Sequence, residues 1–329
     1  MGVGSDEAID ALLRCFCDPG KDKILTCPPT YGMYAVSAQV NDLEIVHVPL
    51  DVKQNFILQP DAINQALSSD PHIKLVYICS PGNPTGSLIS KAAIQKVLEH
   101  PTWNGVVVLD EAYIDFAADG SSLAEWVVEW PNLVVMQTLS KAFGLAGIRL
   151  GAAFCSPAIA TLLNSLKAPY NISSPTSALA TAALDADNFA VMRQNRAKIL
   201  QQRDRLLKEL PDIPGIGRFI GGCDSNFLLV EMLDRPRDQG GKPDNKVALA
   251  VYETMAEQRG VVVRFRGKEW GCTGCLRITV GTEREVDRFL KEIATVLREV
   301  HDRSRSDALE GGDKAEAVEL ENKANNVIS

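Results

Sequence analysis

Short β-branched runs alternate with helical periodicity along most of this chain. Apolar runs at 23–27 (KILTC), 44–48 (EIVHV), 74–79 (KLVYIC), 106–110 (VVVLD), 133–138 (LVVMQT) and 148–154 predict strands. Between them the spacing predicts helices near 29–40, 60–68, 90–100 and 121–130. Continuous apolar strands separated by crossover-length helices read as an α/β fold, a mainly parallel sheet sandwiched by helices. A long helical stretch from about 175 to 210 breaks the rhythm. Strands at 226–232, 261–264 and 275–280 follow, with helices near 245–259 and 282–300, which predicts a smaller C-terminal α+β domain. The expected organisation is a large domain over 1–174, then a connecting long helix and small domain over 175–300. Residues 301–329 have no aromatic and no sustained periodicity, so a disordered tail is expected there. Residues 234–244 (DRPRDQGGKPD) read as a loop insertion. At the start, Ser5 is a candidate N-cap, and Ile9, Leu12, Leu13 and Phe16 share one helical face. Gly-Ser before a helix is also a common anion-binding arrangement, because free backbone N–H groups point at the ligand.

Composition narrows the function classes. Of 329 residues, 46% are hydrophobic and 23% charged, as in an ordinary soluble globular protein. The net charge of −8 is spread without a basic cluster, so neither nucleic acid nor an anionic membrane is indicated as a partner. No apolar run is longer than a strand, and the opening MGVGSDEAID is acidic where a targeting peptide would be basic. A cytoplasmic protein is expected. Eight cysteines lie mostly inside apolar runs, the distribution of small buried hydrophobes. Cys272-Thr-Gly-Cys275 lacks the second pair or two histidines that a structural zinc site needs, so no metal is expected. The four histidines (His47, His72, His100 and His301) sit beside no plausible nucleophile, which disfavours a hydrolytic triad.

In an open parallel sheet, ligands bind beyond the carboxyl ends of the strands. The run at 74–79 ends in Ser80-Pro81-Gly82-Asn83-Pro84-Thr85-Gly86, which presents one amide. The run at 106–110 ends in Asp110-Glu111-Ala112-Tyr113, a carboxylate with a phenol. The run at 133–138 leads into Ser140-Lys141 and then Arg149. A Walker B reading of VVVLDE would require an upstream phosphate-cradling G-x-x-x-x-G-K-[ST], which the chain does not contain.

The set PGNPTG, VVVLDEAYIDF, TLSKAFGLAGIRLG, KAPYNIS and CLRITVG resembles fold-type I pyridoxal-phosphate aminotransferases, most closely the histidinol-phosphate aminotransferase family. The likeness runs from GSDE to about residue 298 in the family's order and spacing. It implies pyridoxal 5′-phosphate as cofactor, with Lys141 holding its aldehyde and later moving a proton, a task suited to a partly desolvated amine. Asp110 would keep the ring nitrogen protonated, Asn83 and Tyr113 would serve the ring's phenolic oxygen, and Tyr31 would stack on the ring. Ser5, Asp6 (through its backbone N–H), Thr138, Ser140 and Arg149 would hold the phosphate. Asn171, Arg264 and Arg277 would face the substrate. The resemblance further implies transamination between L-histidinol phosphate and 2-oxoglutarate, giving glutamate and imidazole-acetol phosphate in histidine biosynthesis, by a homodimer. Two alternatives stay open: a related aminotransferase or decarboxylase of the same fold, or a non-catalytic remnant. The family places an arm and further structure before its first helix, so the chain as written is expected to be a weak or inactive enzyme.

Overall fold

The computed structural model describes residues 1–303. A six-stranded sheet forms the larger layer. Its strands are β1 (Lys23–Thr26), β2 (Glu44–His47), β3 (Ile73–Cys79), β4 (Val106–Asp110), β5 (Leu133–Thr138) and β6 (Gly151–Phe154), in the order β2-β1-β3-β4-β5-β6. The first five are parallel and β6 runs antiparallel to β5. Strands β3 and β4 are almost entirely buried, because each face of the sheet carries its own helical layer.

Alternation along the strands divides these cores. Leu75, Tyr77, Val106, Val108, Val134 and Met136 pack on α1 (Gly4–Phe16), α2 (Met33–Val40) and the later α5 (Pro157–Ser165). Val76, Ile78, Val107, Leu109, Leu133 and Val135 pack on α3 (Pro60–Ser69) and α4 (Lys91–Leu98). Each fully buried aliphatic side chain contributes about 1.5–3 kcal/mol, so the two-sided core secures the strand ends that carry polar residues.

A second, four-stranded antiparallel sheet has the order β7-β8-β10-β9, from β7 (Ile216–Ile220), β8 (Phe227–Met232), β9 (Arg264–Phe265) and β10 (Cys275–Thr279). Its apolar face packs on α8 (Asn245–Arg259), on the end of α7 (Ala186–Glu209) and on α9 (283–303). The opposite face meets the large layer: Leu229, Cys272 and Cys275 belong to the same core as Val76 and Leu109.

Several expectations are corrected. The helix expected at 121–130 is only a 3-10 turn, Ala124–Val128, followed by Pro131, which cannot continue a helix. The expected long helix over 175–210 is two: α6 (Ser174–Ala183) ends at Leu184, and the Asp185 carboxylate caps α7 by accepting from Asn188 N. Strand β7 was not anticipated. Ser5 is not an N-cap; helix α1 begins at Gly4, and the Glu7 carboxylate folds back to accept from Val3 N at 2.7 Å. Of the expected tail, residues 301–303 close α9 and the rest lies outside the described residues. No helix among the described residues is long and apolar enough to cross a membrane. All eight cysteines are free thiols.

Candidate active site

The carboxyl ends of β3, β4 and β5 converge on a cavity of about 190 Å³. Asn83, Asp110, Tyr113, Thr138, Ser140, Lys141 and Arg149 line it, with Ser5 and Asp6 from the start of α1 and Tyr31 from the loop before α2. All ten residues expected to surround a cofactor therefore share one wall. The register explains the assembly: Cys79 pairs with Asp110, and Asp110 with Met136, so β3 and β4 end level and β5 runs two residues further, to Thr138.

Asp110 is 2% exposed. It accepts from Tyr34 Oη at 2.7 Å and from Ala112 N at 3.1 Å, and no cation pairs with it among the described residues. Burial pushes its pKa up, against the pull of the Tyr34 hydroxyl and the Ala112 N–H. Tyr34 was missed in the sequence because it reads as one more buried aromatic on α2. The signal would have been the phenol itself, since a buried hydroxyl needs a partner.

Lys141 follows β5 on the cavity wall, its Nζ 5.3 Å from the centroid of the Tyr113 ring. Its pKa is lowered, first by partial desolvation and then by the Arg277 charge, against Asp110 and Asp6. The Tyr113 hydroxyl is pushed up to about 12, chiefly by burial. Glu111, beside Asp110 in sequence, points elsewhere: Ser122 Oγ, Leu123 N and Gln137 Nε2 donate to it at 2.6, 2.7 and 2.9 Å. Its role is to fasten the loop after β4.

At the other end, Arg149 Nη2 reaches Asp6 Oδ2 at 3.2 Å, and Tyr31 Oη donates to Asp6 Oδ1 at 3.2 Å. The Asp6 side chain thus fixes the arginine, a role beyond its backbone N–H. Arg149 itself lies in the left-handed region at φ 52°, strain that costs on the order of 1–3 kcal/mol and aims the guanidinium at α1. Gly4 makes room for it: at φ 72°, an added Cβ there would stand 2.6 Å from Arg149 Nη2. Thr138 Oγ1 donates to Ser140 Oγ at 2.9 Å, which places two hydroxyls side by side.

Arg277, on β10 of the small sheet, donates from Nη1 to Asn83 Oδ1 at 2.7 Å and lies over the Phe227 ring. Arg264 is its cross-strand partner on β9. Asn171 is not brought to the cavity; its Nδ2 donates to Glu7 at 3.1 Å, on the far side of α1.

The profile of the family "Aminotransferase class I and II" matches residues 1–293. A histidinol-phosphate aminotransferase of Schizosaccharomyces pombe is 57% identical over 92% of this chain and 77% of that protein. One from Saccharomyces cerevisiae is 49% identical over 90% of this chain and 75% of its own length. Among solved structures, histidinol-phosphate aminotransferase from Sinorhizobium meliloti in complex with pyridoxal-5′-phosphate superposes with a TM-score of 0.78. It covers 91% of this chain and 76% of that one at 23% identity, a likeness of fold. With strand ends, cavity and sequence in agreement, the chain belongs to the class I and II aminotransferases and, within them, to the histidinol-phosphate aminotransferase family.

Proposed function

We propose that the protein binds pyridoxal 5′-phosphate in the strand-end cavity and transfers the amino group between L-histidinol phosphate and 2-oxoglutarate, in histidine biosynthesis. The observation that carries this reading is the convergence of a buried unpaired carboxylate, a lysine of lowered pKa and an arginine-hydroxyl cluster on one cavity. The donor set fits the cofactor. Asp110 is a carboxyl group with no cationic partner among the described residues, as a protonated ring nitrogen requires. Arg149, Ser5, Thr138 and Ser140 with the backbone N–H of Asp6 suit a phosphate dianion, and Asn83 and Tyr113 suit a phenolic oxygen. Tyr31 supplies an aromatic wall.

When bound, the cofactor supplies an aldehyde that carries the amino group and an electron sink for the substrate's α-carbon. The chain's own residues do the rest. Lys141 Nζ would hold the cofactor in the resting protein and, as the free amine, would take and return the α-proton, for which a lowered pKa is an advantage near neutrality. Asp110 holds its charge against the ring nitrogen, oriented by the Tyr34 hydroxyl. Arg277 and Arg264 orient the anionic substrates, and Asn83 fixes Arg277.

The working form is read as a homodimer in the cytoplasm, with a large domain over 1–174 and a small one over 175–300. Exposed Leu162, Leu166, Leu179, Leu184 and Val191 support a partner surface. The free thiols suit a reducing compartment. The test is to load the purified protein with cofactor and assay histidinol phosphate with 2-oxoglutarate, with sedimentation in parallel. Stoichiometric cofactor binding with no turnover would overturn the activity and leave a binding protein.

A further inference from the structure

The register of the small sheet sets three arginines on one face. Arg264 lies directly opposite Arg277 across β9 and β10, and Arg266 continues the ladder by donating its N–H to Cys275 O at 2.9 Å. Alternate positions share a face, so Arg264, Arg266 and Arg277 point together, while Phe265 and Leu276 pack into the small-domain core. That arginine face is the one turned toward the large layer, since Cys275 and Leu229 join the large layer's core. Like charges at opposed positions repel, so such a face needs anions.

Among the described residues it has one. Glu269 Oε1 accepts from Arg266 Nη1 at 2.8 Å; neither Arg264 nor Arg277 has a carboxylate within ion-pair distance. The unmatched charge is therefore two positive units. Three buried polar atoms of the cluster also lack partners: Arg266 Nε, Arg277 Nε and Glu269 Oε2. Two of these atoms are donors, and an unpartnered buried donor calls for an acceptor of the kind an anionic ligand brings. The charge of Arg266 is felt at the Tyr113 hydroxyl and at Arg277, which puts it within range of the cavity.

We propose that Arg266, steadied by Glu269, is a specificity-determining residue that recognises the phosphate end of the amino substrate. A phosphate monoester carries nearly two negative charges and three acceptor oxygens, matching two unpaired guanidiniums and the free edge of a third. A single carboxylate, as on the side chain of glutamate, engages fewer of these donors. Glu269 lets Arg266 add directed N–H groups without adding net charge, so the empty face carries two unmatched charges and not three.

This rests on the histidinol-phosphate reading, and the experiment separates the two. Steady-state constants are measured on the cofactor-loaded protein for histidinol phosphate and for 2-oxoglutarate in wild type, Arg266→Met, Arg266→Lys and Glu269→Gln, with melting curves for each. Arg266→Met is expected to raise KM for histidinol phosphate about tenfold, the usual worth of a charge-assisted hydrogen bond, and KM for 2-oxoglutarate less than twofold. Arg266→Lys recovers part of the loss. Glu269→Gln retains an acceptor for Arg266 and makes the face more positive, so KM for histidinol phosphate stays level or falls. Equal shifts for both substrates, or no shift in an active Arg266→Met, would overturn the inference alone. If Arg266→Met does not fold, the Arg266→Lys and Glu269→Gln constants decide: equal losses for both substrates overturn it. A wild-type protein that turns over other amino donors but not histidinol phosphate would overturn the functional reading first.

Discussion

The phenol of Tyr34 donates to the carboxylate of Asp110 across 2.7 Å, with both side chains shut off from solvent. One bond joins the helix α2 to the last residue of β4, and it is the strongest anchor on the group assigned to the ring nitrogen. Tyr34→Phe leaves a buried acceptor short of a partner, which costs about 1–3 kcal/mol. The expected outcome is a protein that folds, melts a few degrees lower and loses turnover about tenfold at unchanged KM. A variant as active and as stable as wild type would show that the bond positions nothing.

Asp110→Asn separates binding from chemistry. Cofactor binding persists because Arg149, Ser5, Thr138 and Ser140 are untouched, while single-turnover transamination falls by about 100-fold or more, the usual scale for one electrostatic group. Stability moves the other way. Burial raises the Asp110 pKa above its ordinary 3.8, so the folded state holds the proton more tightly than the unfolded one. Stability from this group is therefore full below 3.8 and is lost as pH rises through the folded value. At neutral pH the cofactor-free Asn variant should melt higher than wild type, a difference that shrinks on acidification. A lower melting temperature at pH 7 would refute the sign.

Lys141, with its pKa lowered by desolvation and by Arg277, has more neutral amine near neutrality than ordinary lysines. Borohydride added to the loaded protein should fix the cofactor on Lys141, and peptide mapping should find no label on Lys91 or Lys167. Spread of the label over surface lysines would remove Lys141 from its assigned role.

Gly4→Ala tests the phosphate end. The added methyl collides with Arg149 Nη2 at a backbone angle only glycine adopts freely, a strain on the order of 1–2 kcal/mol before any clash. Cofactor affinity measured by equilibrium dialysis should fall about tenfold. Retained affinity would mean that Arg149 has another place to go.

Glu111→Ala is the structural counterpart to the neighbouring carboxylate. Three donors lose their acceptor, so the melting temperature should fall markedly, by roughly 2–4 kcal/mol of stability, while cofactor affinity in the folded fraction is kept. Loss of cofactor affinity without loss of stability would reverse the assignment.

What the sequence made legible was the large sheet and the residues at its strand ends. There each strand is a continuous apolar run, and each polar residue marks where burial stops. The small sheet was harder. Strand β7 is five residues with an arginine in its centre, between Pro214-Gly215 and Gly221-Gly222, so local signals favour a loop and only pairing with β8 makes it a strand. The 121–130 segment shows helical spacing because Leu123, Trp126 and Trp130 all pack inward, yet one 3-10 turn suffices for that. The start of α1 misled because Ser5 has the right chemistry for a cap, but the side chain that arrives is Glu7. Arg266 and Tyr34 escaped because their neighbours across strands and helices are set by tertiary register, which no local window contains.

The amide of Asn83 is a single rigid plane, and its oxygen is already committed to Arg277 in the other sheet. Its N–H₂ edge remains to donate into the cavity it lines. A group that orders that edge therefore also orders the substrate-facing arginine, and a substrate anion that draws on Arg277 tugs the plane in return. By linkage the two occupancies share one coupling free energy, equal in both directions. On the proposed assignments, the small sheet would respond to the filling of the large sheet's cavity through a side chain four atoms long.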